Sequence, residues 1–450
     1  MEFSEQLKIY AETHFENRKK YFAPILSEIE AGLSLCSEEE ALLMKFFYGT
    51  MPLRDAGEYP FETFLGYVRH ALWLRKTIDW CKKLPEDLFV HDVLYYRINS
   101  EDISDCRSFF YEQLKDRIAG LDEYQAAVEI NYWCVEHATY EMADDRTAGP
   151  MTMYRSGKGR CGEESTFTVT ALRSVGLAAR QVYTPRWAHC DDNHAWVEVW
   201  VNGEWHFLGA CEPEEKLDRG WFTGPAGQAL LIHSRTFGDY AAGKREEVIG
   251  RDGAVVCHNV TASYTKTRKL RIQVRKQDNT PAAHAQVSVE ILNMAEYFPA
   301  AVLETDEQGG TSIRLGLGDI RLQARSEGKF VERYCNLAED GVGAADADCA
   351  VTLVLKDSEA GMKDALSGVS ACEWHLAKLC APKEVVVRES VLSEEEVSRG
   401  TRRLADAVKL REERFDQLTR HAIAVHPEEE ERMRVAGENA EELTLSLIHI

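Results

Sequence analysis

The stretch "NHAWVEVWVNGEWHFLGACEPE" places Asn202-Gly203 between two runs of strand-forming residues. Asn-Gly accommodates the two positive-φ positions of a tight turn and is the strongest short-range hairpin signal. With these residues as the turn, Val201 faces Glu204 and Trp200 faces Trp205. Continuing the ladder sets Trp196 against Gly209 and His194 against Cys211. Side-chain alternation puts His194, Trp196, Glu198 and Trp200 on one face, with Trp205, Phe207, Gly209 and Cys211 across from them. An antiparallel sheet is thereby required here, and His194 falls at its open end.

A second constraint lies upstream, in "GKGRCGEESTFTVTALRSVG". A phosphate loop would need Ser or Thr directly after its Lys. Gly159 follows Lys158, so that reading fails. The glycine-flanked loop instead enters a helix at Cys161, with Thr166, Val169 and Leu172 on one face. A thiol at a helix start meets the positive end of the macrodipole, which favours thiolate, and a neighbouring imidazolium would stabilise it further. The free N–H groups of the first turn can hold a developing oxyanion. Buried cysteines are commonly small core residues, so Cys161 gains meaning only beside His194.

Around these two features the chain divides by texture. Residues 1–115 have helical periodicity, clearest in "FLGYVRHALWLRKTIDWCKKL". Residues 116–250 run from a second helical stretch through the cysteine loop into short strands. Residues 265–357 read as a β-sandwich similar to carboxypeptidase-regulatory-like or prealbumin-like modules, to which no chemistry is assigned. Residues 380–450 are charge-rich and helical, and their alternating signs predict a solvated face. The final LSLIHI breaks that pattern; it matches a sequencing-adapter reading frame and is expected to be foreign to a gene that continues.

The net charge of −22 argues against nucleic acid or an anionic membrane as a partner. No apolar run reaches the roughly 18 residues needed to span a bilayer. The opening reads as an amphipathic helix rather than a secretion signal. Twelve scattered cysteines without a CxxC pair fit reduced thiols and a cytoplasmic protein. The sequon at Asn259 then has no role. His189, Cys190, Asp191, Asp192 and His194 are spaced too tightly on one strand to wrap a tetrahedral ion, so no metal or other cofactor is expected.

Together, "GRCGEES" and "NHAWVEVWVNGEWHF" resemble the transglutaminase-like cysteine enzymes, which include microbial proteases and peptide N-glycanases. The resemblance spans roughly residues 120–240. It implies an α+β, papain-like core in which a helix bearing the nucleophile packs on an antiparallel sheet. It also implies Cys161 as nucleophile, His194 as base and an Asp on the returning strand to orient the imidazole. That Asp position is occupied here by Gly209, which cannot orient anything. Glu212, three residues on, is the favoured substitute, with Asp191 and Asp192 as the other candidates. Trp187 and Trp196 are candidate substrate contacts, and His206 and Cys211 read as strand-face fillers. The implied function is acyl hydrolysis or transfer on amide bonds in a bacterial protein, foremost as a peptidase acting on proteins or peptides. An N-glycanase-like amidase and a non-catalytic scaffold are the alternatives, the latter motivated by Gly209.

Overall fold

The computed structural model describes residues 3–142, 147–337, 349–356 and 389–425, with side chains to residue 418 of the last helix. Parts of the predicted C-terminal segment, 380–388 and 426–450 with LSLIHI, lie outside them.

Helices α1 (Glu5–Arg18), α2 (Glu38–Thr50) and α3 (Phe61–Thr77) form the N-terminal layer. Ser37 starts α2 with a reciprocal capping box to Glu40, which satisfies two of the backbone N–H groups a helix start leaves open. The layer closes over an aromatic core that includes Phe46, Phe47, Tyr95 and Tyr96. Helices α4 (Arg107–Leu114), α5 (Glu123–Val135) and α6 (Pro150–Ser156) follow, and lead into α7 (Cys161–Ser174). Helix α7 is buried along its whole length after the first two residues.

Six strands form one antiparallel sheet: β1 (Ala179–Thr184), β2 (His194–Val201), β3 (Glu204–Leu208), β4 (His233–Phe237), β5 (Val248–Asp252) and β6 (Val255–Asn259). Their order is β3-β2-β1-β4-β6-β5. Helix α7 packs on β1 and β2, so the expected α+β core is present, a helix carrying Cys161 against an antiparallel sheet. The hairpin forms in the predicted register, with Val201 opposite Glu204 and Trp200 opposite Trp205. Asn202 and Gly203 take φ values of 54° and 87°, as a two-residue turn of this hand requires. The ladder stops at Val197–Leu208, however, and the predicted pairs Trp196–Gly209 and His194–Cys211 do not form. Cys211 adopts φ 57° and folds the chain into a tight turn from Gly209 to Glu212. Asn131 on α5 pins that turn by donating to Gly209 O at 2.8 Å and accepting from Cys211 N at 3.0 Å.

Beyond a two-residue parallel pairing of Thr139–Tyr140 with Lys158–Gly159, the further strands are β7 (Thr267–Arg275), β8 (Gln286–Asn293), β9 (Glu296–Glu304), β10 (Gly310–Gly316), β11 (Asp319–Ser326), β12 (Lys329–Asn336) and β13 (Cys349–Val354). They form a four-stranded sheet, β9-β8-β11-β12, and a three-stranded sheet, β10-β7-β13. The two sheets share one apolar core built from alternate residues such as Ile272, Val274, Val287 and Val289.

Helix α8 (Glu394–Val425) departs from expectation. Its charges are not simply solvated. Arg403 lies 3.7 Å over the Tyr132 ring and bonds to Glu129 and Glu215, while Arg414 lies 4.6 Å over Tyr154. The guanidinium heads thus stack on tyrosine rings while Arg403 also pairs with carboxylates and Arg414 donates to the backbone carbonyls of His137 and Tyr154, a means of docking that charge periodicity alone conceals.

Burial of histidines sets how this fold responds to acid. His70, His137, His194 and His258 are held at about 4, and His233 at about 3, chiefly because burial penalises the imidazolium. The unfolded chain takes up these protons near the ordinary histidine value of about 6.5. Their stabilising contribution is therefore intact above about pH 6.5 and is lost as pH falls toward 4. Glu164 and Glu212, raised by burial, act in the opposite sense, but they are outnumbered. Thermal melts should show Tm falling by about 5 °C or more between these two pH values. A flat profile across that window would contradict the buried neutral histidines.

Candidate active site

Cys161 is the first residue of α7, preceded by Arg160 in extended conformation. The carboxylate of Glu163 reaches back to the Arg160 backbone N–H at 2.7 Å and also holds its guanidinium. The backbone N–H of Ala195 on β2 is near enough to the Cys161 thiol to favour its ionised form. The helix start does not yield a thiolate at rest. Burial pushes the thiol up to about 11, the carboxyls of Glu164, Asp192 and Glu163 add to this, and the Ala195 N–H opposes it only in part. The expected macrodipole effect is outweighed because desolvation acts on the charged form directly.

His194 opens β2 opposite Thr184. Four aromatic rings surround its imidazole, with centroids at 4.8 Å (Trp221), 5.2 Å (Phe222), 5.8 Å (Trp196) and 6.2 Å (Trp187). Its Nε2 is buried and has no hydrogen-bond partner among the described residues. With the imidazole at about 4 and the thiol at about 11, the resting pair is neutral rather than thiolate and imidazolium.

Trp187 and Trp196, expected to face a substrate, are instead 2% and 0% exposed and lie beneath the imidazole, outside the cavity lining. Trp196 is fixed by a buried chain in which its indole N–H donates to Tyr264 Oη at 2.9 Å and Tyr264 donates to Glu198 at 2.6 Å. Arg180 then bridges Glu198 and Glu246. Every polar group of this chain has a partner, so it can hold a ring in place inside a low-dielectric core.

Cys161, His194, Asp192, Glu164 and Glu212 line one cavity of about 830 Å³. An added Cβ at Gly209 would stand 2.7 Å from Glu212 Oε2. The Glu212 carboxyl therefore occupies the space that a side chain at Gly209 would take. It does not bond His194. Trp221 Nε1 donates to both of its oxygens, at 3.1 and 2.9 Å. Burial lifts Glu212 to about 7, and the indole N–H partly counters this. Asp191 is committed elsewhere, accepting from Met294 N at 2.8 Å. Asp192 remains on the cavity wall and accepts from Asn193 N through Oδ1.

The loop that delivers His194 is secured from outside the six-stranded sheet. Asn293, at the end of β8, donates to Trp187 O at 2.9 Å and to Cys190 O at 2.7 Å. Arg186 stacks 4.0 Å over Phe298 of β9. The sandwich strands, assigned no chemistry from sequence, thus brace the approach to the imidazole. His206, read as a strand-face residue, is paired with Asp218 at 2.6 Å and packs on Tyr124, away from the cavity.

Among the cavity residues that sequence reasoning missed are Glu164, Trp221 and Tyr140. Glu164 is 4% exposed, and burial among other acidic groups pushes it well above the usual carboxylate range. Its signal was available, since it stands three residues after Cys161 on one helix and so shares its face. Trp221 and Tyr140 are 59% and 55% exposed at the cavity; the first lies in an irregular segment and the second in a two-residue strand, Thr139–Tyr140, and neither carries a periodic signal.

Residues 112–210 match the sequence profile of the Transglutaminase-like superfamily. The resemblance to that superfamily holds for this segment, which contains both Cys161 and His194. Among solved structures, the chain is similar to a candidate cysteine protease from Cytophaga hutchinsonii, 18% identical over 29% of this chain and 44% of that one, with a TM-score of 0.24. It is also similar to a streptococcal ancillary pilin, 12% identical over 39% of this chain and 61% of that one, with a TM-score of 0.17. The chain thus spans less than two thirds of either. No curated protein matches it. Among the described residues no helix is long and apolar enough to cross a membrane.

Proposed function

We propose that this protein is a cysteine-dependent acyl hydrolase of amide bonds, foremost a peptidase, with Cys161 as nucleophile, His194 as base and Glu212 as the orienting carboxylate. The observation that carries this reading is the convergence of the three side chains on one cavity. Neutral His194 takes the thiol proton as Cys161 sulfur attacks the carbonyl carbon, so the ion pair exists only during reaction. Free N–H groups in the first turn of α7 face the developing oxyanion. The imidazolium then protonates the leaving amine, and water releases the acyl group from sulfur by the reverse sequence. Trp221 and Tyr140 wall the substrate, while Trp187 and Trp196 support the base from below. The free thiols of the described cysteines support a reducing, cytoplasmic setting.

Transfer to an amine, or N-glycanase-like deamidation, would use the same residues. A peptide-library digest run with and without an added amine separates these outcomes. A non-catalytic scaffold is the second reading, because Glu212 is bonded to Trp221 rather than to His194. The deciding experiment is release of new peptide termini that requires Cys161; its absence across the library would favour the scaffold.

The carboxylate itself makes a pH prediction. Glu212 is protonated below about 7, so turnover should rise as pH passes upward through that value. Glu212→Gln should lower turnover by about two to four orders of magnitude, as wrong-tautomer effects do in other triads, and should remove that limb. Full activity in Glu212→Gln with a dead Asp192→Asn would move the orienting role to Asp192.

A further inference from the structure

Arg235 stands apart from the other charges of the cavity. It lies on β4, two residues beyond His233, which pairs with Tyr183 of β1. Tyr183 pairs in turn with Ala195, whose N–H meets the Cys161 thiol. Directly opposed residues and those two apart share a face, so Arg235 emerges on the same side of the sheet as the nucleophile and lines the same cavity. The side chain is half-buried.

Its partners are few. Arg235 Nη1 donates to Asn99 Oδ1 at 2.8 Å, and the guanidinium carbon sits 5.8 Å from the Tyr183 ring centroid. No carboxylate pairs with it among the described residues, in a chain carrying 75 acidic against 53 basic side chains. Among the described residues three carboxyls line the cavity. Glu212 is held by Trp221, Asp192 accepts from Asn193 N, and Glu164 is almost fully buried in the first turn of α7. Arg160, the other arginine of the cavity, is held by Glu163. A guanidinium presents five N–H donors in a fork that matches a carboxylate bidentately, and among the described residues only one is spoken for.

We infer that Arg235, steadied by Asn99 and Tyr183, is a specificity residue that binds a carboxylate of the substrate close to the amide attacked by Cys161. This rests on the assignment of Cys161 as nucleophile. The carboxylate can be the free C-terminus of a peptide or an acidic side chain beside the scissile bond; the chemistry is the same.

Two small reagents test the site without a known substrate. Iodoacetate and iodoacetamide alkylate a thiolate identically: an S–C bond forms, the C–I bond breaks, iodide leaves and the thiol proton passes to buffer. They differ by one carboxylate. Rates at individual cysteines are read by peptide mass spectrometry on the full chain at about pH 8, where the more accessible thiolates react measurably. The iodoacetate-to-iodoacetamide ratio at Cys161 should exceed that at exposed Cys190 by about tenfold, the scale of one charge-assisted hydrogen bond. Arg235→Gln should abolish that excess, and Arg235→Lys should restore part of it. Equal ratios at Cys161 and Cys190 in the unmodified protein would overturn the inference even if the variants failed to fold. Cys161 inert to both reagents would end the nucleophile assignment, and this inference with it. Cys161 reactive to iodoacetamide with no carboxylate preference would end this inference alone. Peptides with free against amidated C-termini, and with Glu against Ala beside the cleaved bond, then identify which carboxylate is read; no preference in either pair would also count against Arg235.

Discussion

Cys161→Ala is expected to reduce hydrolysis of any accepted peptide by about 10⁵-fold or more, the scale of losing a covalent nucleophile. The fold should be untouched. Cys161 is only half-buried at the first position of α7, and alanine is the best helix former. Initial rates by mass spectrometry, paired with a thermal melt, make the measurement. Undiminished turnover at unchanged Tm would remove Cys161 from the chemistry and leave the cavity a binding site.

His194→Ala should cost at least about a hundredfold in turnover, the usual contribution of a positioned base. The more telling measurement is the alkylation rate at Cys161 against pH. The thiol stands at about 11 and the imidazole at about 4, so between these values an unprotonated base faces an un-ionised thiol. The unmodified protein should react measurably across that interval through base assistance. The variant should react appreciably only as pH climbs toward 11. Sequence alone suggested the opposite sense, a stabilised thiolate lost with the imidazolium. Superimposable profiles for the two proteins would show that His194 does not serve Cys161.

The central pairing was legible because its signals are local and geometric. Asn202-Gly203 sets a register that holds to Val197–Leu208, and a glycine-flanked cysteine before a periodic run marks a helix start. What lay hidden depends on tertiary detail. Cys211 takes a left-handed conformation because Asn131, far away in sequence, holds both sides of the turn. That turn carries the Glu212 carboxyl into the space above Gly209, so the expected substitute is close to the vacant position, yet bonded to an indole from an irregular segment. Thiol and imidazole titration follow burial, which a motif does not express. Trp187 and Trp196 have the composition of a substrate wall, but the sheet turns them inward. Arginines of α8 dock by stacking their guanidinium heads on Tyr132 and Tyr154, where charge patterning reads a solvent-facing side chain.

The clasp of Asn293 on the backbone of Trp187 and Cys190 also bears on how such a protein can be inherited or recombined. A segment that ends with the six-stranded sheet would carry the nucleophile and the base, yet leave behind the hairpin tip that shapes the loop between them. Exchange of the sandwich for another module would have to bring along a side chain able to donate to the same two carbonyls. The boundary between the six-stranded sheet and the sandwich is thus a poor place to cut and splice unless the incoming piece supplies that donor.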